Sequence, residues 1–382
     1  MHAPRPAVLA LPLLLGLGAA APAADWSLEP HVGLNGEYNS NPYLAYGHTE
    51  SRSGGTLDVL LPLKAKTETT DFHLDLGGNL RRYSNDPQGN RDDERLAIGI
   101  GQTHERSGWT ASAGWTRDTT LTSELGLTGL TQSNKRHNRY DASISPQIQL
   151  SQRSLFTFGV SGELNRYEDA ALTGLIDYGY GSVFANYQRQ VSEVTAIGFG
   201  VYGGGLTVPD RSDSNSVSGV ARLSLGHEIT ERLHLDAYVG PTYARSRTTD
   251  KWGAGGMLGL KYGGLRTNFS LSAERALAPA GLGALTVHDT AALSMSRRLT
   301  ERLASTTTLA WQRSQEAVIT PGAASYRVWY WQGTETLSWQ VAQRWSLNLS
   351  VSGTRQASNA APEFANRFMA NLGIAWNPRS PF

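Results

Sequence analysis

The chain has 382 residues, with 41 Gly, no Cys, 9 % aromatic and 18 % charged residues, and 34 Lys and Arg against 33 Asp and Glu. The absence of Cys excludes a disulfide framework, a thiolate metal site and a lipidated N-terminal cysteine, and the balanced charge offers no basic surface for nucleic acid. A weakly charged chain rich in Gly and aromatic residues points to one large β-structure rather than to two or three soluble domains.

In chain order, the first segment reads as a signal peptide. Arg5 forms a thin positive region, Val8 to Leu17 form an apolar core containing Pro12, and Ala21-Pro22-Ala23 fits a small-residue cleavage site. The apolar core is shorter than the ~20 residues of a spanning helix, so residues 1–23 are expected to be removed and residues 24–382 to form the mature domain. Loss of Arg5 brings the net charge to zero, and no later apolar run is long enough for a transmembrane helix.

The first mature segment alternates, with Trp26, Leu28, Val32 and Leu34 set against Ser27, Glu29, His31 and Asn35. The same period of two runs from Tyr140 to Leu150. It returns through Val217, Ala221, Leu223 and Leu225, and again through Trp345, Leu347, Leu349 and Val351. Such segments, about 9 to 13 residues long, recur from end to end, which is the length a tilted strand needs to cross a bilayer.

Connections alternate in length. Short polar turns are expected near Lys66-Thr67-Glu68, His104 to Gly108, Ser151 to Ser154, Ser192-Glu193, Thr230-Glu231-Arg232, Gly263-Gly264, Thr300-Glu301-Arg302 and Ala342 to Arg344. Several share a Ser/Thr-x-Arg-apolar pattern. Longer loops are expected at Asn39 to Ser51, Ser84 to Asp92, Thr119 to Asn138, Glu168 to Asp177 and Pro209 to Asn215. Others are expected at Ala276 to Val287, Ser314 to Ser325 and Gln356 to Glu363.

A sandwich gives no reason for that asymmetry, and propeller blades need four short strands per repeat. The fold class is therefore all-β, a transmembrane antiparallel up-and-down barrel of about eighteen strands with short periplasmic turns and longer extracellular loops. The pair flanking Tyr326 to Trp339 blurs the alternation, and without it the count is about sixteen. Trp26, Tyr38, Tyr83, Trp109, Trp115, Tyr167, Tyr243, Trp345 and Trp376 lie near strand ends, where interfacial girdles place amphipathic rings.

No nucleophile elbow, His-Glu-x-x-His or phosphate-binding loop occurs. Gly203-Gly204-Gly205 suits tight wall curvature. Two clusters could supply a general base: Asp71, His73 and Asp75 on one strand face, and His234 with Asp236 on another. Residues at i and i+2 share a face automatically, so a charged lumen wall with Arg81, Arg95, Arg222 and Lys261 as counter-charges explains them as well. His48 and His137, placed in loops, show no ligand spacing. The lumen-facing candidates are Asp71, His73, Asp75, Arg81, Asp141, Arg222, His234 and Asp236. Neither a metal nor a cofactor is expected. Around the candidates the inferred lumen is amide- and hydroxyl-rich, with Asn35, Asp58, Asn79, Gln147, Gln149, Glu163, Asn186, Asn268, Asn348 and Asn371, a wall compatible with neutral hydroxylated solutes.

The opening stretch Trp26-Ser27-Leu28-Glu29-Pro30-His31-Val32 through Gly36-Glu37-Tyr38-Asn39-Ser40-Asn41-Pro42-Tyr43-Leu44 resembles that of the β-barrel porin family associated with exopolysaccharide-biosynthesis operons, in which a Tyr-x-x-Asn-Pro element ends the first strand. The resemblance implies an outer-membrane channel through which a secreted polysaccharide passes, and it carries over no catalytic residue. Outer-membrane lipid, the barrel-assembly machinery, a polysaccharide and periplasmic export components would be its partners. A nutrient-uptake porin and a barrel hydrolase are the alternatives. Unlike most such barrels, the chain does not end on its last strand: Phe368, Ala370, Leu372, Ile374 and Trp376 form that strand, and Asn377 to Phe382 follow with Pro378 and Pro381.

Overall fold

The computed structural model describes residues 24–378, apart from 48, 85, 87–88, 128–133, 170–174, 210, 248, 318–326, 360 and 362. The expected leader and the last four residues lie outside these.

The strands, in chain order, begin with β1 (Asp25–Leu28), β2 (His31–Asn39), β3 (Arg52–Lys66), β4 (Thr70–Tyr83), β5 (Arg91–Thr103) and β6 (Ser107–Thr119). A short helix, α1 (Thr120–Leu127), precedes β7 (Arg136–Ser151), β8 (Ser154–Tyr167), β9 (Tyr178–Gln190), β10 (Thr195–Thr207), β11 (Ser216–Thr230) and β12 (Leu233–Ser246). The wall continues through β13 (Asp250–Gly263), β14 (Thr267–Ala280), β15 (Ala284–Arg298), β16 (Leu303–Glu316), β17 (Arg327–Ala342), β18 (Trp345–Ser358) and β19 (Ala365–Trp376).

Each strand from β2 to β19 pairs antiparallel with the next, and β19 returns to β2 from Met369↔Asn39 to Trp376↔Val32. Closure leaves no strand edge bare, the condition for a sheet in lipid. β1 and β2 follow one register along β3, with Leu28 opposite Leu63 and His31 opposite Leu60. They are one strand interrupted at Glu29-Pro30, because Pro lacks the ladder donor. Counted so, the ring has eighteen staves.

The register also sorts the faces. Leu34, Leu57 and Leu80 stand in one row, as do Leu293 and Leu309; these apolar rows point outward, with Leu34, Leu57, Leu80 and Leu309 exposed. Asn35, Asp58, Asn79 and their equivalents point into the lumen. In the region of blurred alternation, β17 is a regular strand paired with β16 and β18. Trp329 and Trp331 point outward there, whereas Val328 and Tyr330 are buried on the inner side, where Tyr330 packs with Leu44 and Ala365.

The short turns fall on one rim. Their Ser/Thr-x-Arg-apolar pattern has a physical basis: the Thr230 hydroxyl accepts from the amides of Arg232 and Leu233, and Thr300 does the same for Arg302 and Leu303. Three expectations need correction. The segment Ala276 to Val287 is not a long loop; β14 and β15 run on to Ala280↔Ala284 around a three-residue turn. The connection Thr119 to Asn138 contains α1. Tyr83 and Tyr167 are not girdle residues; both point inward and are buried, because their hydroxyls find carboxylates inside.

Candidate functional site

At mid-height the lumen has two unlike walls. On β3, the Asp58 carboxylate accepts hydrogen bonds from the amides of Asn35, at 2.9 Å, and Asn79. On the opposite wall, Arg222 of β11 is sandwiched between two rings, its guanidinium carbon 3.9 Å from the centre of Tyr202 and 4.7 Å from that of Tyr238. Tyr238 donates to Glu274 at 2.6 Å, Tyr202 donates to Asn186 at 2.5 Å, and Phe184 stacks on Tyr202. Asp58 and Arg222 are each the seventh residue from the extracellular end of a 15-residue strand. Seven staves lie between β3 and β11 one way around the ring and nine the other, so a carboxylate faces a guanidinium across the lumen. Such a pair sets a transverse field across the lumen.

The extracellular mouth is built from inward-folded connections. Thr120 opens α1, its amide bonded to the Lys135 carbonyl and its hydroxyl accepting from the Lys135 amide, which ties the helix back to the foot of β7. That turns Glu124 inward, where it is fully buried at 0 % exposure and accepts from the Tyr167 hydroxyl at 2.5 Å. Beside it, His137 bonds Asp118 and Asn165, each at 2.9 Å, and stacks on Tyr167. His137 is thus the second residue of β7 and buried, not a loop histidine; His48 lies outside the described residues.

The tip of the β14–β15 hairpin reaches this cluster from the far wall. The Gly281 carbonyl accepts from the Ile176 amide at 2.8 Å, and a side chain at Gly281 would meet the Glu124 carboxylate. A bridge of α1, the β8–β9 connection and the β14–β15 tip therefore crosses the mouth. Tyr167, Tyr178, Leu175, Leu206 and Leu285 form its apolar core.

The opening motif has a local structural role. Asn39 accepts from the Asn41 amide, and Asn41 in turn bonds both backbone groups of Ala45 and the carbonyl of Asn366. This clasp folds the β2–β3 loop inward, placing Leu44 at a positive φ of 50° and bringing the Tyr43 hydroxyl to Asp86 at 2.6 Å. Burial, then the Asp86 carboxylate, pushes the Tyr43 phenol well above its usual pKa.

The sequence-predicted residues fall into separate places. Asp71, His73 and Asp75 line a recess at the periplasmic rim, with Asp71 3.7 Å from Lys66 and His73 lying over Gly99. Arg81 lies 3.6 Å from Glu37, which also accepts from Tyr83. Asp141 is 3.7 Å from Arg139, itself 3.2 Å from Glu163. His234 bonds Asp236 at 2.9 Å, and Lys261 reaches the same carboxylate at 3.0 Å. The two histidine clusters sit on β4 and β12, far apart around the ring. Asp71, Asp141 and Asp236 each have a cation beside them. Among the described residues, no group of three His, Asp or Glu side chains is placed to hold a metal ion.

Sequence reasoning missed Tyr202, Tyr238, Glu37 and Glu124. The tyrosines were legible as strand residues, but their meeting on Arg222 depends on cross-strand register. Glu124 carried no signal, because a polar loop residue reads as solvated.

No protein-family profile matches the chain, and no curated protein matches it. Solved structures do. OccK2 (OpdF) from Pseudomonas aeruginosa aligns with a TM-score of 0.52 at 11 % identity, covering 92 % of this chain and 98 % of that one. A BenF-like porin from Pseudomonas fluorescens Pf-5 gives 0.51 at 11 % identity, covering 93 % and 99 %. OccK2 in complex with glucuronate gives 0.50 at 12 % identity, covering 94 % and 99 %. At such identities the likeness is one of fold, and the chain has the closed eighteen-strand fold of outer-membrane porins.

Proposed function

We propose that the chain is an outer-membrane channel selective for small hydroxyl-bearing anions, of the nutrient-uptake kind. The observation that carries this reading is Arg222, held between Tyr202 and Tyr238 and facing Asp58 across the lumen. A guanidinium stacked on both sides is fixed in place and still offers its N–H edge to a carboxylate. The adjacent rings present faces to sugar-like carbons, and the amides of Asn35 and Asn79 offer donors to hydroxyls. The bridge across the mouth favours small solutes over an open conduit. The fold neighbour described in complex with glucuronate, a hydroxylated carboxylate, is consistent with this class.

Reconstituted in planar bilayers, the native channel is expected to prefer chloride over potassium and to be blocked by glucuronate. Arg222→Glu should reverse the ion preference and weaken the glucuronate block about tenfold. Unchanged reversal potential and block in this variant would refute the assignment.

A second reading, passage of an exopolysaccharide, is favoured by the opening motif and by the aromatic track of Phe184, Tyr202 and Tyr238. It requires that deletion of the chain trap polymer in the periplasm. Normal polymer in the medium of the deletion strain would exclude it.

A further inference from the structure

The ladder between β13 and β14 stops short. It runs from Gly263↔Asn268 to Gly256↔Arg275, although β13 continues to Asp250 and β14 to Ala280. Beyond the break each strand keeps its other partner, Asp250 pairing with Arg245 of β12 and Ala280 with Ala284 of β15. The two edges part because the β14–β15 hairpin leans into the barrel. The outward parity of that hairpin carries Leu277, Leu285 and Val287, and these pack not on lipid but in the cluster that holds the inward-facing Leu206 and Ala244. The wall is therefore lapped: the outer face of the hairpin lies behind the inner face of β10–β13.

A cavity of about 160 Å³ sits in the lap. Thr242, Lys251 and Gly253 line it from the lumen-facing side of β12 and β13, and Arg275, Leu277 and Val287 from the outward-parity side of β14 and β15. Its lining thus joins the two faces of the wall, with an apolar middle and a cation from each side. Arg275 shares Asp289 with Arg313 on the outer face.

We propose that this seam is a lateral gate between the lumen and the outer leaflet, and that it takes an amphipathic anion, a carboxylate with a single apolar tail. A complete ladder resists lateral opening because every separated N–H and C=O would be left unpaired in lipid. In the upper part of this seam those cross-strand bonds do not exist, so opening requires only that apolar surfaces slide, with Lys251 and Arg275 meeting the carboxylate and Leu277 and Val287 the tail. The break lies in the extracellular part of the wall, where headgroups and water satisfy the bare edges. The inference rests on the channel reading only in requiring a membrane-spanning barrel, and its test does not measure ion selectivity.

The folded protein in nanodiscs is titrated with sodium dodecanoate, with empty nanodiscs as the baseline. Saturable binding is expected, at least about tenfold tighter than that of uncharged dodecanol. Lys251→Glu and Gly253→Phe should each weaken dodecanoate binding about tenfold or more, one by charge and one by filling the cavity, while potassium chloride conductance stays at the native value. Dodecanoate should also speed hydrogen exchange at the amides of Ala276 to Ala280. The gate is overturned if dodecanoate binds no better than dodecanol, or if both variants bind it like the native protein. Should Gly253→Phe fail to fold, Lys251→Glu, a change at an exposed side chain, still decides.

Discussion

Glu124 shows how one buried carboxylate organises the mouth. A carboxylate withdrawn from water is costly unless hydrogen bonds replace its hydration. The Tyr167 hydroxyl supplies one at 2.5 Å, and Tyr167 is itself fixed by stacking on His137, whose two ring nitrogens are engaged by Asp118 and Asn165. Tyr167→Phe keeps the stacking and removes the donor, so it is expected to cost about 1–3 kcal/mol of local stability. The loss should appear as faster hydrogen exchange in α1 with an unchanged melting temperature for the barrel. Lower overall melting with α1 protection intact would contradict this role. Arg222 illustrates a different residue-scale device: its two cation–π contacts hold a long side chain at one height in the lumen, so the charge proposed to select anions is fixed in place.

At the scale of elements, the β14–β15 hairpin is the part that departs from ideal barrel geometry. Its strands are regular, but its tip turns through Gly281 to Gly283 and docks on Ile176. Gly283 has φ +68°, and a Cβ there would lie 3.3 Å from the Ile176 side chain. Left-handed backbone is open to Gly and strained for β-branched residues. Gly283→Val is therefore expected to destabilise the docked tip by about 1–2 kcal/mol, because both the backbone and the contact resist it. Single-channel recordings should show larger and noisier conductance, with the open level reached more often. A silent variant would mean that the tip does not limit the pore.

At the scale of the whole molecule, adjacent residues face two solvents. Leu309 and Thr308 are neighbours on β16, the first exposed on the outer face and the second facing the lumen. An arginine at Leu309 would have to enter hydrocarbon, whereas one at Thr308 would enter water. In lipid vesicles, Leu309→Arg is expected to lower unfolding stability by about 2–4 kcal/mol and Thr308→Arg by much less. Equal effects would mean that the faces have been assigned wrongly. The closed ring explains why this rule holds almost everywhere: with every stave paired on both sides, the wall has a single inside. The lapped seam is the exception, since there Leu277, Leu285 and Val287 carry the outward parity and yet are covered by protein.

That exception marks the boundary between what was legible and what was not. Alternation with period two, short turns against long connections, and the Ser/Thr-x-Arg turns were enough for the barrel and its stave count. These are local properties, decided within one strand by which side chains tolerate lipid. Register across strands is not local: nothing in the spacing of Tyr202, Arg222 and Tyr238 announces that they stack, since three separate strands must align to bring them together. Nor could composition reveal that Ala276 to Val287 is strand, because its small and apolar residues suit a turn as well as a hairpin leaning on an inner wall. Pattern alone therefore determined that the strands carry two alternating faces. Only the tertiary structure decided what each face meets, because packing against lipid and packing against protein select the same apolar side chains.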